Sequence, residues 1–355
     1  MALSRSPRPR SSTEGRGRSF LELDETERLV WADEHLDAGD PRAEAVTLDE
    51  ALPGLSGDER ERARARLDEL TRAHREAWAG DLAPFLDLAR SSFRHGLLDT
   101  AVVSWRTPAR ALRAALAAPE WRSVRRVFFE WAAPGLDAAR RRSPEAVTQL
   151  QLLERLPALR GVGGLLPNVF SELAPRETLT ELHLRTEGAP PPRLLEHVAR
   201  HRGLRRLGFA CPAWAPPQLP APMWKPFTPP GLELLTLECQ GRGAGWLRLA
   251  KGLGCPSLAV QTPELGNAWL RTQRLEAGLA LALWFPDAGY LAEGCISALE
   301  DLVVTDVARV EVWLPGALVT EHALRLEQAL ARFARAERAL LTGRLPRHPL
   351  FVDPA

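Results

Sequence analysis

The sequence predicts an α/β fold: an irregular solenoid of parallel strands and helices, with a helical domain ahead of it and a capping helix behind. Three observations predict it. An L-x-x-L-x-L spacing, clearest at Leu179–Thr186 (L-T-E-L-H-L-R-T), recurs from Leu98 onward at intervals averaging about 26 residues. Segments with helical spacing lie between several of the recurrences. Residues 19–96, by contrast, carry their apolar residues at helical spacing only.

Residues 1–18 hold five Arg against Glu14, with almost nothing to bury, and are read as a disordered basic tail. The helical domain spans 19–96, with helices expected at Glu25–Leu36, Arg42–Leu52, Asp58–Trp78 and Leu82–Ala89. Gly39-Asp40-Pro41 separates the first two, and Pro41 suits the first turn of the second. Asp33 and Asp40 are placed to cap or to pair with Arg28 and Arg42.

Within this domain, Arg28-Leu29-Val30-Trp31-Ala32-Asp33, then five residues, then Gly39-Asp40-Pro41-Arg42-Ala43-Glu44 resembles the bacterial repeat-companion domain. That family's pattern is R-L-V-Y-A-D-W-L followed by G-D-P-R-G-E. A charged helix ending near His74 and Trp78, then Phe93-Arg94-x-Gly96, extends the likeness over residues 20–104. Glu34, His35 and Ala43 depart from it. The resemblance implies a helical module ahead of leucine-rich repeats, and no catalytic residue.

The solenoid is assigned to 97–318. Frame starts fall at Leu98, Val124, Val147, Leu179, Leu204, Leu232, Cys255, Glu276 and Val307. The fourth position then holds Ala101, Val127, Leu150, Leu182, Leu207, Leu235, Leu258, Leu279 and Val310. The sixth holds Val103, Phe129, Leu152, Leu184, Phe209, Leu237, Val260, Leu281 and Val312, so all eighteen are apolar. Helices are expected between strands at Ala109–Ala118, Pro192–His201 and Trp246–Gly252. Strand, turn, helix and return resembles the leucine-rich-repeat family, in a degenerate form without the Asn that normally follows the strand. Pro212–Pro230, carrying Trp214 and Trp224, reads as a protruding loop. The last stretch, 319–355, is read as a capping helix from Thr320 to about Leu341 and a tail, with Gly343 as C-cap.

The net charge of +1 hides segregation: the tail carries +4, residues 19–96 carry −9 and the remainder +6. Arg outnumbers Lys 44 to 2, yet acidic residues accompany the Arg almost one for one, so the bias does not read as phosphate binding. Four cysteines without C-x-x-C spacing favour reduced thiols and a cytoplasmic setting. The longest uncharged apolar run, Ala277–Phe285, is too short to span a bilayer, and no signal peptide is evident.

Motifs for chemistry are weak. Cys211 and Cys239, like Trp105 and Trp131, fall at the eighth position of consecutive frames and read as core residues. His197 and His201 stand i, i+4 on a helix, but Val198 follows the first His where a zincin needs Glu. Gly241–Gly245 lacks the Lys-Ser/Thr of a phosphate loop. No catalytic residue, cofactor or metal ligand is assigned.

The outward positions of the strands are the candidate binding residues: Phe128, Glu130, Gln151, His183, Arg185, Thr236, Glu238, Gln261, Glu311 and Trp313. Their mixture of charge, amide and aromatic groups suits a protein surface. The expectation is therefore a non-enzymatic scaffold for protein–protein interaction. The alternative is nucleic-acid or polyanion binding through the Arg-rich tail and basic repeats, and an unrecognised hydrolase would need polar groups converging in a deep pocket.

Overall fold

The computed structural model describes residues 19–104, 107–130, 144–165, 167–186, 188, 190–211, 231–239, 255–261, 269–276, 278–284, 307–314, 320–333 and 336–342. Three helices come first: α1 (Glu25–Leu36), α2 (Pro41–Ala51) and α3 (Gly57–Ala79). Asp24 caps α1 by accepting the Glu27 N–H at 2.8 Å, and Asp40 caps α2 through the Arg42 N–H, also 2.8 Å. Asp33 is exposed and caps neither helix. Phe20, Trp31, Ala32, Ala43 and Val46 close the α1–α2 contact. A 3-10 turn, Gly80–Phe85, stands where a helix over Leu82–Ala89 was expected, with Pro84 inside it.

Among the described residues, twelve strands form one mixed sheet in strict sequence order. They are β1 (Ser92–Arg94), β2 (Leu97–Val103), β3 (Arg126–Phe129), β4 (Gly161–Leu165), β5 (Glu181–Arg185), β6 (Arg206–Ala210), β7 (Leu234–Glu238), β8 (Ser257–Gln261), β9 (Trp269–Leu275), β10 (Gly278–Trp284), β11 (Val307–Leu314) and β12 (Glu337–Thr342). β1 and β2 form a hairpin closed by His95 and Gly96, whose φ values of 54° and 65° are those of a tight two-residue turn. From β2 to β8 every neighbour is parallel. β9 runs antiparallel to both β8 and β10, after which β10, β11 and β12 are parallel again.

One face of the sheet is the core. The ladder aligns Ala101, Val127, Val162, Leu182, Leu207, Leu235 and Leu258 in one row, every one buried. A second buried row runs Phe129, Leu165, Leu184, Phe209, Leu237 and Val260. Against them pack the helices that return the chain: α4 (Ala109–Ala114), α5 (Pro144–Glu154), α6 (Pro167–Glu172) and α7 (Pro192–Arg200). Leu112, Leu152, Leu153, Phe170, Leu194 and Val198 are their buried contributions. The unit repeats in its backbone bonds as well. The Arg125, Arg160, Thr180 and Arg205 carbonyls each accept two successive N–H groups from the start of the next strand, at 2.7–3.1 Å.

Two frame starts, Val147 and Glu276, are corrected, and so are the count of strands and the extent of the C-terminal helix. Val147 does not open a strand; it lies with Leu150 and Leu152 on α5, where Leu152 and Leu153 are buried, and Leu156 just beyond the helix is buried with them. The strand after β3 is instead β4, Gly161–Leu165, whose three glycines carry no strand signal. A register shift there separates Val162 from Leu165 by three residues instead of two, around Gly164 at φ 66°. β9 was not anticipated, because Thr272, buried in the inward row, interrupts the apolar alternation. At β10 the frame is displaced by two: Leu281 and Leu283, not Leu279 and Leu281, align with Val310 and Val312. Finally, the C-terminal helix α8 (Thr320–Ala331) stops early, and residues to Leu341 form β12 instead. Leu326, Leu330 and Phe333 are buried as expected, but Leu340 sits opposite Val312 on the sheet. Trp246–Gly252 and Gly343 lie outside the described residues.

Candidate functional site

The face opposite the helices carries the odd positions of each strand. Three rows cross it, and their chemistry differs. The row nearest the strand starts is ionic. Arg126 on β3 donates from Nε and Nη2 to the two oxygens of Glu181 on β5, at 2.9 and 3.2 Å. This fork passes over Gly161, where a Cβ would stand 3.1 Å from both Arg126 Cγ and Glu181 Oε2. Asp99 lies 3.4 Å from Arg126, and Arg206 lies 3.6 Å from Glu181. Glu181 is thus a nearly buried carboxylate between two guanidinium groups, the geometry in which charge-assisted bonds are strongest.

The middle row follows the ladder His183, Gly208, Thr236, Ala259, Arg271, Ala282 and Glu311. Small residues here let large neighbours lie flat. The Phe128 ring covers Gly163, whose Cβ would come within 2.2 Å of it. His183 Nε2 is 3.0 Å from Glu238 Oε1, beyond Gly208. Arg271 donates from Nε to Ser257 Oγ at 2.9 Å. Burial, followed by the nearby Arg206 charge, lowers the pKa of the Arg271 guanidinium.

The third row lies at the carboxyl ends of the parallel strands and the amino end of antiparallel β9: Arg185, Ala210, Glu238, Gln261, Trp269, Trp284 and Trp313. Arg185, Glu238, Gln261 and Trp313 are half-exposed, whereas Ala210 and Trp269 are buried. Trp313 Nε1 donates to Glu311 at 3.4 Å, and Arg309 pairs with Glu311 at 2.6 Å. Glu130 on the first side pairs with Arg90.

Nine of the ten candidate residues therefore fall on this face or immediately beyond its strands. His183 and Thr236 are buried in it rather than exposed. Gln151 is the exception: it stands on α5, exposed beside Arg113, Glu154 and Arg155 on the helical side. The residues the frame did not single out are Arg126, Glu181, Arg206 and Arg271. The first three occupy the third frame position, left out of the count, and the fourth lies on the unanticipated strand.

The remaining motifs are structural where described. Cys211, Cys239 and Cys255 are buried free thiols. Burial pushes Cys211 up to about 12 and Cys255 up to about 11, which keeps both as poorly nucleophilic thiols at neutral pH. Cys211 Sγ is 2.8 Å from Thr186 Oγ1. His197 on α7 and His201 just after it pack around Phe170 of α6, on the helical side of the sheet. His201 is fully buried and its pKa falls to about 4, through burial and then the nearby His197. Trp105, Trp131, the Pro212–Pro230 loop, Gly241–Gly245 and the N-terminal tail lie outside the described residues. Among the described residues no helix is long and apolar enough to cross a membrane. Comparison with models of protein families, with curated proteins and with solved structures finds no match to this chain.

Proposed function

We propose that the chain is a repeat-companion-like module joined to a leucine-rich-repeat-like α/β solenoid, and that it works as a non-enzymatic scaffold recognising a protein partner. The observation that carries this reading is the row at the strands' carboxyl ends, where Arg185, Glu238, Gln261 and Trp313 stay half-exposed while Glu238 meets buried His183 and Trp313 bonds Glu311 in the row behind. Side chains braced from behind lose little freedom on binding, which favours recognition over a solvated surface. An acid, an amide and an indole in one row offer the polar rim and aromatic anchor of protein interfaces. The site falls outside the carboxyl ends of parallel strands, where α/β sheets commonly place ligands.

The test is affinity capture from native lysate with the wild-type chain and with an Arg185→Ala/Glu238→Ala/Trp313→Ala variant, at two salt concentrations. Loss of the same bound proteins from the variant, with modest salt dependence, supports the reading. Bound nucleic acid released steeply by salt supports the polyanion alternative instead.

A further inference from the structure

The turn between β1 and β2 brings together three groups that neither the helical module nor the strand face explains. Glu25 opens α1, Glu50 lies in the last turn of α2, and His95 is the first turn residue of the hairpin. One donor atom from each lies within 4.8 Å of the other two. We propose that Glu25, Glu50 and His95 form a binding site for a divalent transition metal of the zinc type, which clasps the helical module to the first hairpin of the sheet.

The second, independent observation is His95 itself. Its side chain is only 3% exposed, and Nε2 points into the cluster. Glu50 Oε1 is 2.8 Å away, yet Nε2 makes no hydrogen bond, so the carboxylate stands off the axis of the ring nitrogen. A buried imidazole nitrogen without a hydrogen bond is costly, and a cation on its axis removes that cost. The backbone holds the ring in place: the His95 N–H donates to Asp49 Oδ2 at 2.6 Å.

The donor set selects the metal. One imidazole and two carboxylates suit zinc, cobalt or manganese, whereas calcium and magnesium favour oxygen alone. Tetrahedral ligands about 2.0–2.1 Å from zinc stand roughly 3.3 Å apart, so the Glu25 and Glu50 side chains, both half-exposed, draw inward on binding. Solvent completes the coordination on their open side. Arg94 is the competitor. Its Nη2 lies 3.1 Å from Glu25 Oε1 and 4.0 Å from Glu50 Oε1, supplying the positive charge that a metal would replace. Its side chain is itself 47% exposed, free to swing outward.

The full-length chain, stripped with EDTA, is titrated with Zn2+ while Tm is followed, and with Co2+ while visible absorption is followed. One equivalent of Zn2+ raises Tm, and Co2+ gives d–d bands of a site with nitrogen and oxygen ligands. His95→Asn, which suits the left-handed turn, abolishes both responses and keeps the metal-free fold, and Arg94→Gln tightens binding. Should His95→Asn fail to fold, Glu50→Gln serves the same purpose, with weakened binding expected. A Tm indifferent to Zn2+, or a response that survives in these ligand variants, overturns the proposal.

Discussion

Arg126 and Glu181 meet in a forked ion pair across an intervening strand, and they can do so only because Gly161 leaves the space between them empty. Glu181 also faces Arg206, so one carboxylate balances two guanidinium groups. Removing it takes a shared carboxylate from both cations, with Asp99 still facing Arg126, whereas removing Arg126 leaves Glu181 paired with Arg206. Glu181→Ala is expected to destabilise the chain by about 3 kcal/mol and Arg126→Ala by less. Urea unfolding of the two variants checks the order; equal costs, or a smaller cost for Glu181→Ala, would contradict the lattice described here.

A second close approach gives a sharper test. A side chain at Gly163 collides with the Phe128 ring. Gly163→Val should cost roughly 1–3 kcal/mol from overpacking, and Phe128→Ala in the same chain should return part of that loss. A double-mutant cycle in urea measures the coupling, and an absence of coupling would argue that the ring does not lie over this glycine.

The core rows predict large losses at particular leucines. Leu182 and Leu235 are 1% and 3% exposed in the same row, so truncation of either to Ala should cost about 2–5 kcal/mol. Gln151→Ala, on the exposed side of α5, should change stability by less than about 0.5 kcal/mol.

His201 ties stability to pH. The unfolded chain takes up a proton at this residue near the ordinary histidine value of 6.5, while burial keeps the folded chain from taking it until about pH 4. Its contribution is therefore fully present above pH 6.5 and is lost as pH falls toward 4, to a limit of about 3 kcal/mol. His201→Leu should flatten that part of the stability profile, measured by urea midpoints between pH 4 and 7. An unchanged slope would show that other groups set it.

The sequence made the sheet legible wherever the inward residues were all apolar. Leu182–Leu184, Leu207–Phe209 and Leu235–Leu237 fall on strands in register as the spacing required. It misled where another pattern produced the same letters. Val147, Leu150 and Leu152 satisfy the frame, but all three lie on α5, and the glycine strand beside them is silent. Thr272 and Arg338 hid β9 and β12 because each puts a polar residue where the row expects an apolar one. At the binding face, orientation could be read from parity, but burial could not. Whether His183 is open or covered depends on what stands across a glycine two strands away. The grouping of Glu25, Glu50 and His95 joins residues up to 70 positions apart and has no local signature.

The unbroken strand order has a consequence for how the chain is made. Each strand finds its mate in the segment synthesised immediately before it, so no distant ends must meet before the sheet can grow. A ribosome delivering residues in order delivers strands in order too. At every stage the emerging polypeptide offers one unfinished border, the site at which a chaperone or a neighbouring molecule could intervene.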